Sequence, residues 1–129
     1  MVRYGSASGV ILIVEDDTDI REALAQILSD EGYEVLSAPN GKVGLDRLRE
    51  RKPDLILLDL MMPVMNGWQF REKQRADEQF AAIPVLVISA DASAGQEAAA
   101  LGAKGFMQKP IELEVLLASV ATHCLPAAS

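Results

Sequence analysis

Cysteine, histidine, aromatic side chains and basic clusters are all scarce in this 129-residue chain, and each scarcity removes a class of protein. The one cysteine, Cys124, rules out an internal disulfide and a cysteine-built zinc site. It lies at apolar spacing in the last helix-forming stretch and reads as a small core residue. The one histidine, His123, has no Asp or Cys at motif spacing and is not read as a metal ligand. Lysine and arginine number 12 against 19 acids, the formal charge is −7, and no basic cluster forms, so direct nucleic-acid binding is not expected. Long apolar runs are missing too. The first strong one, Val10–Val14, stops at Glu15, Asp16 and Asp17, too short for a signal-peptide core or a membrane span. The expected location is the cytoplasm, with no membrane contact.

What is present is the balance of an ordinary globular domain, with 50% apolar and 24% charged residues. The length fits one domain over residues 10–125, with a flexible N-terminal segment at 1–9 and a loose tail at 126–129. Apolar segments rich in Val, Ile and Leu alternate with helix-forming ones, the pattern of a parallel sheet with crossover helices. The class is α/β. Val10–Val14, residues 55–58 and residues 85–88 are apolar throughout, as expected of central strands covered on both faces. Residues 33–37 and 105–108 are more polar and fit the two edges. Helices are expected from near Asp19, where Asp19 and Glu22 resemble a capping box, to a stop at Gly32, and over 41–51. Three more follow: from Asn66-Gly67 through Lys73, over 92–101, and along the stripe Leu113, Leu116, Leu117, Val120 and Cys124. Met61, Met62, Met65 and Trp68 read as core packing between the third strand and third helix.

In an open α/β sheet, ligands bind beyond the carboxyl ends of the strands. Four of the five strands end in a residue fit for chemistry: Glu15-Asp16 after the first, Asp59 after the third, Ser89 after the fourth, Lys109-Pro110 after the fifth. Three carboxylates converging on one point raise one another's pKa and call for a cation. All-oxygen ligands with positions left for water and phosphate suggest Mg²⁺, with Mn²⁺ able to substitute. Asp59 then fits a nucleophile toward phosphorus, Lys109 a compact positive charge, and Ser89 a hydroxyl donor to a phosphoryl oxygen.

Residues 11–17 (ILIVEDD), 57–63 (LLDLMMP), 87–90 (VISA) and Lys109-Pro110 resemble, in order, the hallmark segments of the bacterial-type receiver domain of response regulators in two-component signal transduction. The resemblance covers about residues 10–124 and is to single-domain, chemotaxis-regulator-like members. It implies a doubly wound five-stranded parallel sheet of order 2-1-3-4-5, the flavodoxin-like (receiver) fold. It also implies phosphorylation of Asp59 by a histidine kinase or histidine phosphotransfer protein. Glu15 and Asp16 become the acidic pair, with Asp16 a direct metal ligand beside Asp59 and the main-chain carbonyl of Met61. Asp17 matches no family acid. Lys109-Pro110 is expected cis. Ser89 and Phe106 correspond to the switch pair, a hydroxyl that swings toward the phosphoryl group and a ring that follows it. Met61 and Asp91 match variable positions that tune phosphoryl loss; Met cannot position a water, which points to slow self-hydrolysis, while Asp91 leaves this open. The implied protein is a signalling module that assists its own phosphorylation and dephosphorylation rather than an enzyme. Its output to a downstream protein partner runs through the face of helix 4, strand 5 and helix 5. The short tail without linker composition points to a stand-alone regulator.

Two other classes share features of this pattern. A flavodoxin-like cofactor binder needs a Gly/Ser/Thr-rich loop after the first strand, where Glu15-Asp16-Asp17 would repel phosphate. A haloacid-dehalogenase-type phosphohydrolase wants a second Asp two residues after the nucleophile, where this chain has Met61, and a cap domain that it lacks.

Overall fold

Five apolar runs become the strands of one parallel sheet, with helices on both faces, in the computed structural model of the protein, which describes residues 8–125. The loose ends expected at 1–9 and 126–129 fall largely outside the described residues. The elements run β1 (Val10–Val14), α1 (Thr18–Asp30), β2 (Glu34–Ala38), α2 (Gly41–Glu50), β3 (Leu55–Asp59), α3 (Gly67–Ala76), β4 (Val85–Ser89), α4 (Ala94–Ala100), β5 (Gly105–Gln108) and α5 (Leu113–His123). The sheet order is β2-β1-β3-β4-β5, as the resemblance implies. Every residue of β1, β3 and β4 is buried, which is why these segments carry no polar alternation. The edge strands β2 and β5 are mostly half-buried.

Side chains alternate along each strand and so divide the core into two layers. Leu12, Val14, Ile56, Leu58, Val85 and Val87 pack beneath α2, α3 and α4, against Leu48, Phe70 and Ala98. Ile11, Ile13, Leu55, Leu57, Leu86 and Ile88 pack beneath α1 and α5, against Leu24, Leu28, Leu116 and Val120. Cys124 joins this second layer, its thiol pushed up to about 12 by burial and by the charge of Asp54.

Three element boundaries differ from the sequence expectation, each for a local reason. Helix α1 starts at Thr18, one residue before Asp19, because the Asp17 carboxylate accepts the Ile20 N–H at 3.1 Å and takes the cap that Asp19 was expected to supply. Strand β2 starts one residue late because the Tyr33 N–H is still bound to the Leu28 carbonyl at the end of α1, at 3.1 Å. Helix α4 occupies 94–100 rather than 92–101, since Asp91 Oδ1 accepts from both Ser93 N at 2.9 Å and Ser93 Oγ at 2.8 Å and holds 91–93 in a turn. The expected stop at Gly32 is present, at φ 106°.

The loop between β3 and α3 carries one conformational cost. Val64 sits at φ 68°, the one positive φ outside glycine among the described residues, and its side chain is exposed. A branched residue there costs about 2 kcal/mol. Glycine relieves this at an entropic cost of about 1 kcal/mol. Val64→Gly is therefore expected to stabilise the protein by about 1 kcal/mol, read as a rise of about 4 °C in melting temperature. An unchanged or lower midpoint would show that the loop is held without strain.

Candidate functional site

All the polar residues singled out at strand ends meet along one edge of the sheet. Strand β3 delivers Asp59, 2% exposed; Glu15, following β1, is fully buried; Asp16 beside it is exposed. One carboxylate oxygen from each of Glu15, Asp16 and Asp59 falls within 4.8 Å of the others. Lys109, just past β5, reaches into this group: its Nζ lies 2.5 Å from Glu15 Oε1 and 3.4 Å from Asp59 Oδ2. The Lys109-Pro110 peptide is cis, as expected. Asp59 Oδ1 accepts the Met61 N–H at 3.0 Å, so the loop after β3 folds back over the carboxylate. Met61 itself is 65% exposed, whereas Met62 is in the core and Met65 and Trp68 pack half-buried against it. The methionine cluster is thus core packing, with Met61 as its exception. Asp17 commits its carboxylate to the α1 cap and stands outside the acidic group.

The electrostatics follow from burial. Desolvation, reinforced by Asp59, pushes Glu15 up to about 7. Burial works against the Lys109 ammonium, but its contacts with Glu15 and Asp59 outweigh that and raise it above its ordinary value. Asp16 titrates below its ordinary value; slight burial opposes the shift, and contacts with Glu15 and Asp59 produce it. Glu15 therefore keeps its proton to higher pH than an ordinary carboxyl, and Asp16 gives its proton up at lower pH. Glu15 Oε1 is buried in an ion contact with Lys109, so the ammonium already offsets part of the charge that the acids bring together. Three hard carboxylate groups that each bring one oxygen within 4.8 Å of the others fit a small divalent ion.

The remaining site residues flank this group. Ser89 is buried; its Oγ accepts the Asp91 N–H at 3.1 Å and its carbonyl accepts the Lys109 N–H at 2.8 Å. Phe106 sits on β5 opposite Val87, half-buried in the layer beneath α4, with Gly95 of that helix against its ring. Sequence reading missed Arg21, whose guanidinium binds the main chain of the acidic loop. It also missed Arg71 and Gln74, buried on α3. Arg71 donates to the carbonyls of Leu101 and Gly102 and to Gln74, and Gln74 to those of Phe80 and Ile83. Nothing in an α3 sequence of this composition marks two polar side chains as buried; the signal is the loop carbonyls they satisfy, which exist only in the fold.

A parallel sheet that gathers acids and a lysine at its carboxyl edge defines an α/β protein handling a charged ligand there. Comparison with known proteins narrows the class. The profile of the response regulator receiver domain matches residues 11–121. Protein PilH of Pseudomonas aeruginosa is 34% identical over 115 residues, spanning 85% of this chain and 93% of that protein. Hybrid signal transduction histidine kinase D of Dictyostelium discoideum is 37% identical over 113 residues, which make up 86% of this chain but 7% of the kinase. The structure of chemotaxis response regulator CheY4 of Vibrio cholerae superposes with a TM-score of 0.82 at 33% identity, over 89% of this chain and 98% of the other. The chain belongs to the response regulator receiver domain family of two-component systems, which implies a part in phosphorylation-dependent signalling. Family members typically bind Mg²⁺, which the acidic cluster here could hold. Among the described residues no helix is long and apolar enough to cross a membrane.

Proposed function

We propose that Asp59 accepts a phosphoryl group from a histidine kinase or histidine phosphotransfer protein, and that the resulting change is read at the face of α4, β5 and α5. The carrying observation is that a buried carboxylate at the end of β3 has a lysine 3.4 Å from one oxygen and two further acids within cation-sharing distance. In the transfer a new bond forms between an Asp59 oxygen and phosphorus while the bond from phosphorus to the donor nitrogen breaks. Mg²⁺, held by Glu15, Asp16, Asp59 and the Met61 main-chain carbonyl, supplies charge neutralisation for the phosphoryl oxygens when bound. Lys109 offsets the Asp59 charge before transfer and contacts a phosphoryl oxygen after it. Ser89 gives up the Asp91 N–H to donate its hydroxyl proton to another, and Phe106 moves into the space behind it. The domain is a phosphoacceptor rather than a turnover enzyme, although these residues assist both gain and loss of the phosphoryl group.

Mg²⁺ is expected to raise the melting temperature by several degrees at millimolar concentration, because it binds the folded acidic cluster and relieves its repulsion. Asp16→Ala should remove most of that rise. The pH dependence has a definite sign. With its folded pKa raised from 4.5 to about 7, Glu15 contributes stability at low pH that is lost as pH climbs through that window. A cation must displace the same proton, so Mg²⁺ affinity should climb up to about pH 7 and level off above it. A melting temperature indifferent to Mg²⁺ in the parent protein removes this metal site.

A further inference from the structure

Arg21 belongs to none of the groups assigned so far, yet its guanidinium meets the carbonyls of Glu15 and Asp16, two of the three residues between β1 and α1. Its Nη1 donates to the Glu15 carbonyl at 2.7 Å and lies 3.4 Å from that of Asp16. Its Nη2 is 3.5 Å from Thr18 Oγ1 on the same helix, while its main-chain N–H makes the first hydrogen bond of α1, to the Asp17 carbonyl at 2.9 Å. The Glu15 peptide is held from the other side as well, its N–H donating to Ala38 of β2 at 3.0 Å. Two features separate this arrangement from ordinary helix packing. A positive charge in the first turn of a helix faces the positive end of the dipole, so the stability of α1 does not call for it. The ion pairs among the described residues are formed by Arg47, Arg49, Arg51 and Lys109, whereas Arg21 directs its donors to main-chain oxygens.

We infer that Arg21 is a positioning residue for the cation site. By holding the carbonyls of Glu15 and Asp16, it turns the carboxylates of the same residues toward Asp59 and keeps those carbonyls from competing as ligands. The inference rests on the cation site proposed above. It assigns Arg21 no contact with the cation or the phosphoryl group; its effect passes through the main chain it orients.

Two variants test it. Arg21→Met keeps the apolar stem and removes every side-chain donor; Arg21→Lys keeps the charge on a shorter, unforked head. Mg²⁺ affinity is measured by titration calorimetry alongside melting in metal-free buffer, with Asp16→Ala as the variant that loses a ligand. Both Arg21 variants are expected to bind Mg²⁺ about tenfold more weakly, the usual effect of removing a group that orients a ligand. Their metal-free melting should stay within about 3 °C of the parent, under 1 kcal/mol. If the parent itself binds no Mg²⁺, the cation site falls and this inference with it. If the parent binds and Arg21→Met binds equally well, the cation site stands and the positioning role is overturned. Parent-like binding by Arg21→Lys would mean that positive charge suffices, which also overturns it. A large drop in metal-free melting would mark Arg21 as general support for α1 and count against the inference.

Discussion

Asp59→Asn is expected to abolish labelling by acetyl phosphate in the presence of Mg²⁺. The parent should gain the mass of one phosphoryl group, whereas the asparagine variant should gain none above background. The substitution is nearly isosteric and keeps an oxygen for the Met61 N–H, so the loop after β3 retains its anchor and what is lost is the nucleophile. Ser89→Ala and Lys109→Ala should still accept label while weakening the response to it, because neither supplies the attacking atom. A stable phosphoryl group on another residue of the Asp59→Asn protein would move the site. Repeated turnover with phosphate release would instead favour a hydrolase.

Gly67→Ala should be the most damaging single methyl group in the described structure. A Cβ at that position would stand 2.6 Å from the Asp59 carbonyl oxygen and 2.7 Å from Leu60 Cα. Both are main-chain atoms, so no side chain can swing aside, and either the end of β3 or the start of α3 must shift. We expect a loss of about 3 kcal/mol, or roughly 12 °C in melting temperature. Reduced labelling of Asp59 should accompany it, since the displaced main chain carries that residue. Gly95→Ala is the matched control. Its Cβ would meet only the Phe106 ring, at 3.4 Å, and the midpoint should remain within about 2 °C of the parent. Equal melting of the Gly67→Ala protein and its parent would show that the junction of β3 and α3 adjusts freely.

The parts of the fold legible in the sequence were those fixed by unbroken burial. Strands β1, β3 and β4 lie inside on both faces, so their Val, Ile and Leu runs admit no other reading. The acids and Ser89 could be placed because each ends or directly follows such a run, and Lys109 because it follows the more polar edge strand β5; strand ends in a parallel sheet share one edge. Legibility failed where a side chain serves the main chain of a distant segment. Arg71 reaches Leu101 and Gly102, some 30 positions along, and no local pattern encodes that pairing. Arg21 was hidden differently: on an amphipathic helix it resembles any surface arginine until the loop before it is seen to curl back. At the α1 cap, Asp17 and Asp19 are both chemically suitable, and the direction in which the chain leaves β1 chooses between them.

The sheet also works as a partition. The layer beneath α2, α3 and α4 and the layer beneath α1 and α5 have separate memberships, with the strand backbones between them. Exchanging a side chain in one layer leaves the packing partners in the other untouched, so effects from opposite sides add with little interaction. For a protein under selection this amounts to two nearly independent histories in one chain: volume can drift on one side without a compensating change on the other. Phe106 and Met107, adjacent on β5, belong to different histories in this sense, since the first packs with the α4 layer and the second with that of α1 and α5. A lineage could remodel the surroundings of the ring while the neighbouring methionine kept its own companions.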